Sequence, residues 1–196
     1  MNQKSKTIDR CQISGVQDLK TVLSLGYLPP VNKLNKINSP LHEDVFYPAE
    51  LMFSPSSKLL QLSTIVDKEI LFPKEYPYTS STTKILRENF KELYEECRKI
   101  ISISSKDLII DIGSNDGNLL NNFKKNHKVL GVTPENIGKI AIKKGINTLI
   151  TYFDKRASKY IYRKFGKAKI ITATNVFAHI PNVISLMQTG QACCQT

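Results

Sequence analysis

From residue 106 onward the chain alternates short apolar runs with amphipathic stretches, and this alternation constrains the fold more than any other feature. Residues 107–112 (DLIIDI) form a mainly apolar run ended by Gly113, as expected of a strand buried on both faces of a parallel sheet. A helix with Leu119, Leu120 and Phe123 inward follows, then a second strand over 128–132. Ile137, Ile140 and Ala141 mark a second helix that stops at Gly145, where a glycine suits the helix C-terminus. Residues 148–152 give a third strand, 155–165 a third helix closed by Gly166, and 168–174 a fourth strand. Such a series is a doubly wound α/β arrangement, with ligands expected at the carboxyl ends of the strands.

The turn after the first of these strands reads Asp111-Ile112-Gly113-Ser114-Asn115-Asp116-Gly117. Gly113 and Gly117 allow a sharp backbone turn and a close approach to a ligand. Asp111 can accept hydrogen bonds from the loop or from an amino group, and the following helix N-terminus can receive a carboxylate. That set suits a zwitterionic amino acid. It does not suit a polyphosphate: no Lys-Ser/Thr pair follows the last glycine, and acids at 111 and 116 repel a pyrophosphate.

The remainder has a different texture. Residues 1–68 are rich in Pro, Ser and Asn, with short apolar runs only, and read as a small loop-rich domain; 23–32 (LSLGYLPPVN) carries turn chemistry. Residues 69–104 read as an extended aromatic-proline segment (ILFPKEYPYTSS, 70–81), ended by hydroxyls able to cap, and then a linking helix. Its apolar stripe is Leu86, Phe90, Leu93, Cys97 and Ile100, with Glu95 and Lys99 paired on the opposite side. The strand-helix domain spans 105–196.

The net charge of +11 has one source: residues 121–170 hold thirteen Lys or Arg against Glu135 and Asp154. Because these cations lie between apolar residues at helical spacing, they read first as solvated outer helix faces, then as attraction for a phosphorylated substrate. A nucleic-acid partner is not expected, since no exposed aromatics interleave with the cations. Neither a membrane span nor a secretory h-region is visible, so a cytoplasmic setting is expected. Cys11, Cys97, Cys193 and Cys194 are too few and irregular for a disulfide framework.

Six segments in order carry a resemblance: LGYLPPVN (25–32), LLQL (59–62), EYPYTSS (75–81), DIGSNDGNLL (111–120), VLGVTPE (129–135) and NVFAHIP (175–181). On these the chain resembles the S-adenosylmethionine-dependent C-methyltransferases of deoxysugar biosynthesis. That family has an N-terminal zinc-binding domain ahead of a Rossmann-like class I methyltransferase domain. The resemblance implies C-methylation of a nucleotide-linked keto-deoxysugar, with methyl transfer to another small metabolite, or a non-catalytic cofactor-binding remnant, as rivals. It implies cofactor contacts at Asp111, Gly113, Ser114, Asn115, Asp116, Gly117, Thr133, Pro134 and Asn175. Tyr76 and Tyr78 are implied as lining of a cleft between domains; as packing groups they are equally explained.

Three departures from the family pattern set further expectations. Where methyltransferases place a ribose-binding acid after the second strand, this chain has Thr133, which predicts weaker cofactor binding unless Glu135 reaches back. The four zinc thiolates are represented by Cys11, Ser14, Ser54 and Ser57; three hydroxyls are poor zinc ligands, and His42 alone does not rescue the set, so the zinc site is expected to be lost. The sheet is expected to be incomplete, stopping after its fourth strand, with the family's histidine base absent and His179 as the remaining candidate, so this chain alone is expected to be inactive. An open edge at Ile170 and Ile171 is then expected to favour self-association.

Overall fold

The computed structural model describes residues 4–34, 36–40 and 43–194. It divides into two compact units: one runs to Pro73 and takes in Pro181–Val183, and the other comprises Lys74–Ile180 with Ile184–Thr196.

Among the described residues the first unit holds five strands and a short helix. β1 (Ser5–Thr7) pairs antiparallel with β5 (Thr64–Val66), and β2 (Lys20–Leu28), β3 (Tyr47–Phe53) and β4 (Leu60–Leu62) form an antiparallel sheet in that order. The turn expected over 23–32 is only partly a turn. Residues 23–28 continue β2, and the pairing with β3 slips between Ser24 and Tyr27, around Gly26 at φ 76°. The glycine thus marks a bulge inside a strand. A short helix, α1 (Lys68–Leu71), occupies the start of the segment expected to be extended; Asp67 caps it by accepting from Glu69 N–H at 2.7 Å.

In the second unit α2 (Lys84–Ile100) precedes a parallel sheet of β6 (Leu108–Ile112), β7 (Lys128–Thr133), β8 (Thr148–Ile150) and β9 (Ala168–Thr172), in the order β8-β7-β6-β9. The connecting helices are α3 (Leu120–Phe123), α4 (Gly138–Lys143) and α5 (Lys155–Phe165), and α6 (Val183–Gln191) follows β9. The architecture is mixed α/β with a four-stranded parallel sheet, consistent with a Rossmann-like fold. β6 is central and buried at every position, because apolar clusters lie on both faces. Ile109 joins Phe90, Tyr94, Leu119, Leu120, Phe123 and Ala141 on one side. Leu108, Ile110 and Ile112 join Leu130, Val132, Ile161 and Leu186 on the other. Each fully buried aliphatic side chain contributes roughly 1.5–3 kcal/mol, which is why the runs read as continuous and not alternating.

Several details differ from the sequence reading. Tyr94, which the stripe on α2 omitted, is buried, and Ile100, which it included, is 79% exposed. The helix ends beyond the core, so the last position of the stripe overhangs. Thr83 stands at the N-cap and its side chain makes no capping bond among the described residues; Lys99 pairs with Glu96 at 2.6 Å, and Glu95 with Arg98 at 3.5 Å. The edge at β9 is not bare. Ala168 N–H donates to Cys193 O at 2.7 Å, Cys194 forms a parallel bridge with Ala168, and Ile170 is buried. The tail returns there because Cys193 is fully buried, its thiol 2.9 Å from Ser158 Oγ on α5. On α5, Asp154 caps the helix by accepting from Arg156 and Ala157 N–H groups, and Lys155, Arg156, Lys159, Arg163 and Lys164 lie on its exposed face. No helix among the described residues is long and apolar enough to cross a membrane.

Candidate functional site

The loop after β6 takes three left-handed residues in succession of five: Gly113 at φ 73°, Asn115 at φ 51° and Gly117 at φ 80°. Glycine is required at 113 and 117 by crowding as well as by φ. A Cβ on Gly113 meets Val176 Cγ2 at 2.5 Å, and one on Gly117 meets Ile146 Cδ1 at 2.7 Å and Ala141 Cβ at 2.9 Å. The close approach that the sequence assigned to a ligand is therefore, at both positions, an approach of the protein to itself. Gly113 and Ser114 N–H groups both donate to Val132 O, at 2.8 and 3.2 Å, tying the loop to the end of β7.

The loop's polar side chains have protein partners that the sequence did not reveal. Asn115 Oδ1 accepts Ser80 N–H at 2.9 Å, and its Nδ2 donates to Tyr78 O at 3.0 Å. Asp116 accepts from Ser80 Oγ at 2.6 Å, from Ser81 Oγ, and from Lys144 Nζ at 3.0 Å. Burial works to raise the Asp116 pKa, but the two hydroxyls and the ammonium outweigh it and hold the carboxyl below its ordinary value. Asn118 Nδ2 donates to Ser80 O at 3.1 Å, while Asn136 reaches Lys74 O by its N–H and Glu75 Oε1 by its Nδ2. Residues 74–81 are thus strapped across the loops that follow β6 and β7. Two sequence motifs that lie thirty or more residues apart form one structure. Tyr76 and Tyr78 on that strap contact each other edge to face, with centroids 6.4 Å apart, and Tyr78 is 44% exposed.

Asp111 is buried at the carboxyl end of β6, where its Oδ1 accepts from Thr172 Oγ1 of β9 at 2.7 Å. Burial pushes its pKa up to about 7, against the lowering effect of the Thr172 hydroxyl. Ser114 is buried beneath Gly131, with no hydrogen-bond partner for Oγ among the described residues. At the end of β7, Thr133 is buried and its hydroxyl donates to Glu135 Oε2. Glu135, itself buried, is turned toward Thr133. Pro134 lies between them, and no other side-chain partner of Glu135 is found among the described residues. Asn175 follows β9 with φ 56°, and His179 closes a single 3₁₀ turn, Phe177–His179. Both are exposed.

In the first unit, Cys11, Ser14, Ser54 and Ser57 come together: Cys11 Sγ is 3.0 Å from Ser57 Oγ, and Ser14 Oγ is 3.3 Å from Ser56 Oγ. Burial acts to raise the Cys11 pKa, yet hydrogen bonds from Ser14, Ser57 and Ile13 bring it down to about 6. His42 lies outside the described residues. Among the described residues, no group of three or more His, Cys, Asp or Glu gathers that could hold a metal ion.

Residues 11–72 match a family described as "Putative zinc binding domain". The chain is also 26% identical over 180 residues to the C-methyltransferase NovU of Streptomyces niveus, an alignment that covers 91% of this chain and 43% of that enzyme. The chain thus spans less than half the length of the curated relative it matches. It resembles the sugar C-methyltransferase family, and the resemblance is to an enzyme of the methyltransferase type.

Proposed function

We propose that this chain binds S-adenosylmethionine and serves the C-methylation of a nucleotide-linked keto-deoxysugar. The observation that carries the reading is the grouping of two buried carboxylates, Asp111 and Glu135, at the carboxyl ends of adjacent parallel strands, on either side of a left-handed glycine loop. Open α/β sheets bind ligands at that edge.

S-Adenosylmethionine, when bound, supplies an electrophilic sulfonium methyl. The residues of this chain bind and orient. Asp111 would accept from the amino group of the methionine moiety, a cation that would favour the charged form against the burial that raises its pKa to about 7. Glu135 accepts from the ribose hydroxyls, its carboxylate steered by Thr133 and by the rigid Pro134 between them. Gly113, Ser114, Asn115, Asp116 and Gly117 give the loop its shape, with Asn115 and Asp116 acting through the strap. Asn175 adds a polar group beyond β9. Tyr76 and Tyr78 present aromatic faces to an acceptor. A carbanion beside the sugar carbonyl needs a base, and His179 is the histidine placed after β9, on the same edge of the sheet.

The chain's resemblance to a C-methyltransferase supports transfer to carbon, and the keto-deoxysugar acceptor belongs to this proposal alone. Calorimetric titration with S-adenosylhomocysteine tests the cofactor reading: saturable binding that Asp111→Ala abolishes is expected. No binding to the folded wild-type chain, or equal binding by both chains, overturns it.

A further inference from the structure

The two turns that carry the zinc-type pattern share one backbone design. In the first, Cys11 N–H donates to Val16 O at 2.9 Å and Gly15 N–H to Cys11 O at 2.9 Å. In the second, Ser54 N–H donates to Leu59 O at 2.9 Å and Lys58 N–H to Ser54 O at 2.8 Å. The fifth residue is left-handed in both, Gly15 at φ 71° and Lys58 at φ 61°. A lysine adopts that conformation at a cost. The second turn therefore keeps the shape of the first against the preference of its own sequence, and something other than local propensity holds it.

The donor set does not suit zinc. A structural zinc site takes thiolates or imidazoles, and its ligands must be deprotonated; three of these four positions are serine hydroxyls. Those hydroxyls are engaged with Ser56, with Cys11 and with a carboxylate, partners of which the ligand pattern includes only Cys11. Asp18 Oδ1 accepts from Ser54 Oγ at 2.8 Å, and Oδ2 accepts from Ser56 N–H at 2.8 Å. Ser56 Oγ lies 3.2 Å from Ser54 Oγ and 3.3 Å from Ser14 Oγ, which links the second turn to the first. In the first turn Cys11 Sγ accepts from the N–H groups of Ile13 and Ser14, at 3.4 and 3.3 Å. Asp18 gives the second turn what the sulfur gives the first, an acceptor that gathers the turn's donors.

We propose that this unit joins its two turns without metal, through a hydrogen-bonded cage. Asp18 supplies the negative charge, Ser14, Ser54, Ser56 and Ser57 supply the cross-links, and Cys11 anchors the first turn. Charge-assisted bonds to a carboxylate are the strong members of such a network, so Asp18 is the group on which it depends. The inference is independent of the cofactor reading, since it concerns only what closes the first unit.

The test uses the full chain, purified from zinc-supplemented culture, with metal analysis and thermal denaturation with and without a strong chelator. Wild-type protein is expected to hold far less than one zinc per chain and to melt at the same temperature with chelator. Asp18→Asn is expected to melt lower by about 5 °C, again without response to chelator. Replacing Ser14→Cys, Ser54→Cys and Ser57→Cys together is expected to convert the cage to a site that takes up one zinc per chain and melts lower when chelated. That variant reads the geometry of the turns even if Asp18→Asn fails to fold. One tightly held zinc in the wild type, unchanged melting of Asp18→Asn, or a triple variant that takes up no zinc overturns the proposal.

Discussion

The hydroxyl of Ser80 donates to the carboxylate of Asp116 at 2.6 Å, and both residues are buried. This contact joins the aromatic-proline strap to the loop after β6. Asp116→Asn keeps the shape but removes the charge that Ser80, Ser81 and Lys144 address. Because hydrogen bonds to charged groups contribute about 1.5–3 kcal/mol each, a loss of about 2–4 kcal/mol in unfolding free energy is expected by urea denaturation. The folded-state pKa of Asp116 is depressed, so its contribution is present above the unfolded value near 3.8 and is lost as pH falls below it. The variant should differ most from wild type at neutral pH and converge with it in acid. A constant difference down to pH 2 contradicts the assignment.

Asp111 predicts the opposite dependence. Its folded-state pKa is raised to about 7 from 3.8, so the folded chain holds a proton that the unfolded chain releases. Its contribution is fully present below about pH 4 and is lost as pH rises through 7, at up to about 1.4 kcal/mol per pH unit. Asp111→Asn should remove that slope and be the more stable chain at pH 8. Denaturation curves for both chains between pH 4 and 8 decide this, and parallel curves defeat it.

Glu135 is expected to carry cofactor affinity that Thr133 cannot. Loss of a charged acceptor corresponds to about 10- to 100-fold in affinity, so Glu135→Gln should weaken S-adenosylhomocysteine binding by that factor in calorimetry. Thr133→Val, which frees the carboxylate without removing it, should cost less. If Thr133→Val costs as much as Glu135→Gln, the hydroxyl and not the carboxylate is the binding group.

The tail that returns to β9 makes a further prediction. Ala168 loses a backbone partner and α5 loses the buried Cys193 when residues 192–196 are removed. An uncovered strand start pairs with other chains, so the shortened chain should show a higher mass by light scattering than the full chain at equal concentration. Identical masses show that the tail does not protect the edge.

The strand-helix alternation and the ends of α5 were readable from residue order, because each depends on local periodicity and on turn residues; the order of the strands in the sheet was not, because pairing is tertiary. The apolar run over 107–112, ended by Gly113, read as a strand covered on both faces, and β6 over Leu108–Ile112 is that strand. The chemical roles inside the loop were not readable in this way. Asn115 and Asp116 look like ligand groups in one dimension, and their partners are Ser80 and Ser81, brought near by a strap whose path no short-range pattern encodes. Glu135 was visible as an acid two residues late, but that it turns back to Thr133 is a matter of side-chain packing. In the first unit the four positions of the zinc pattern could be identified, and the loss of three thiols could be counted. That Asp18 accepts from Ser54 and Ser56 could not. Hydrogen-bond partners separated by thirty-six residues, as Ser54 and Asp18 are, are chosen by the folding of β2 against β3, so only the tertiary structure decides them.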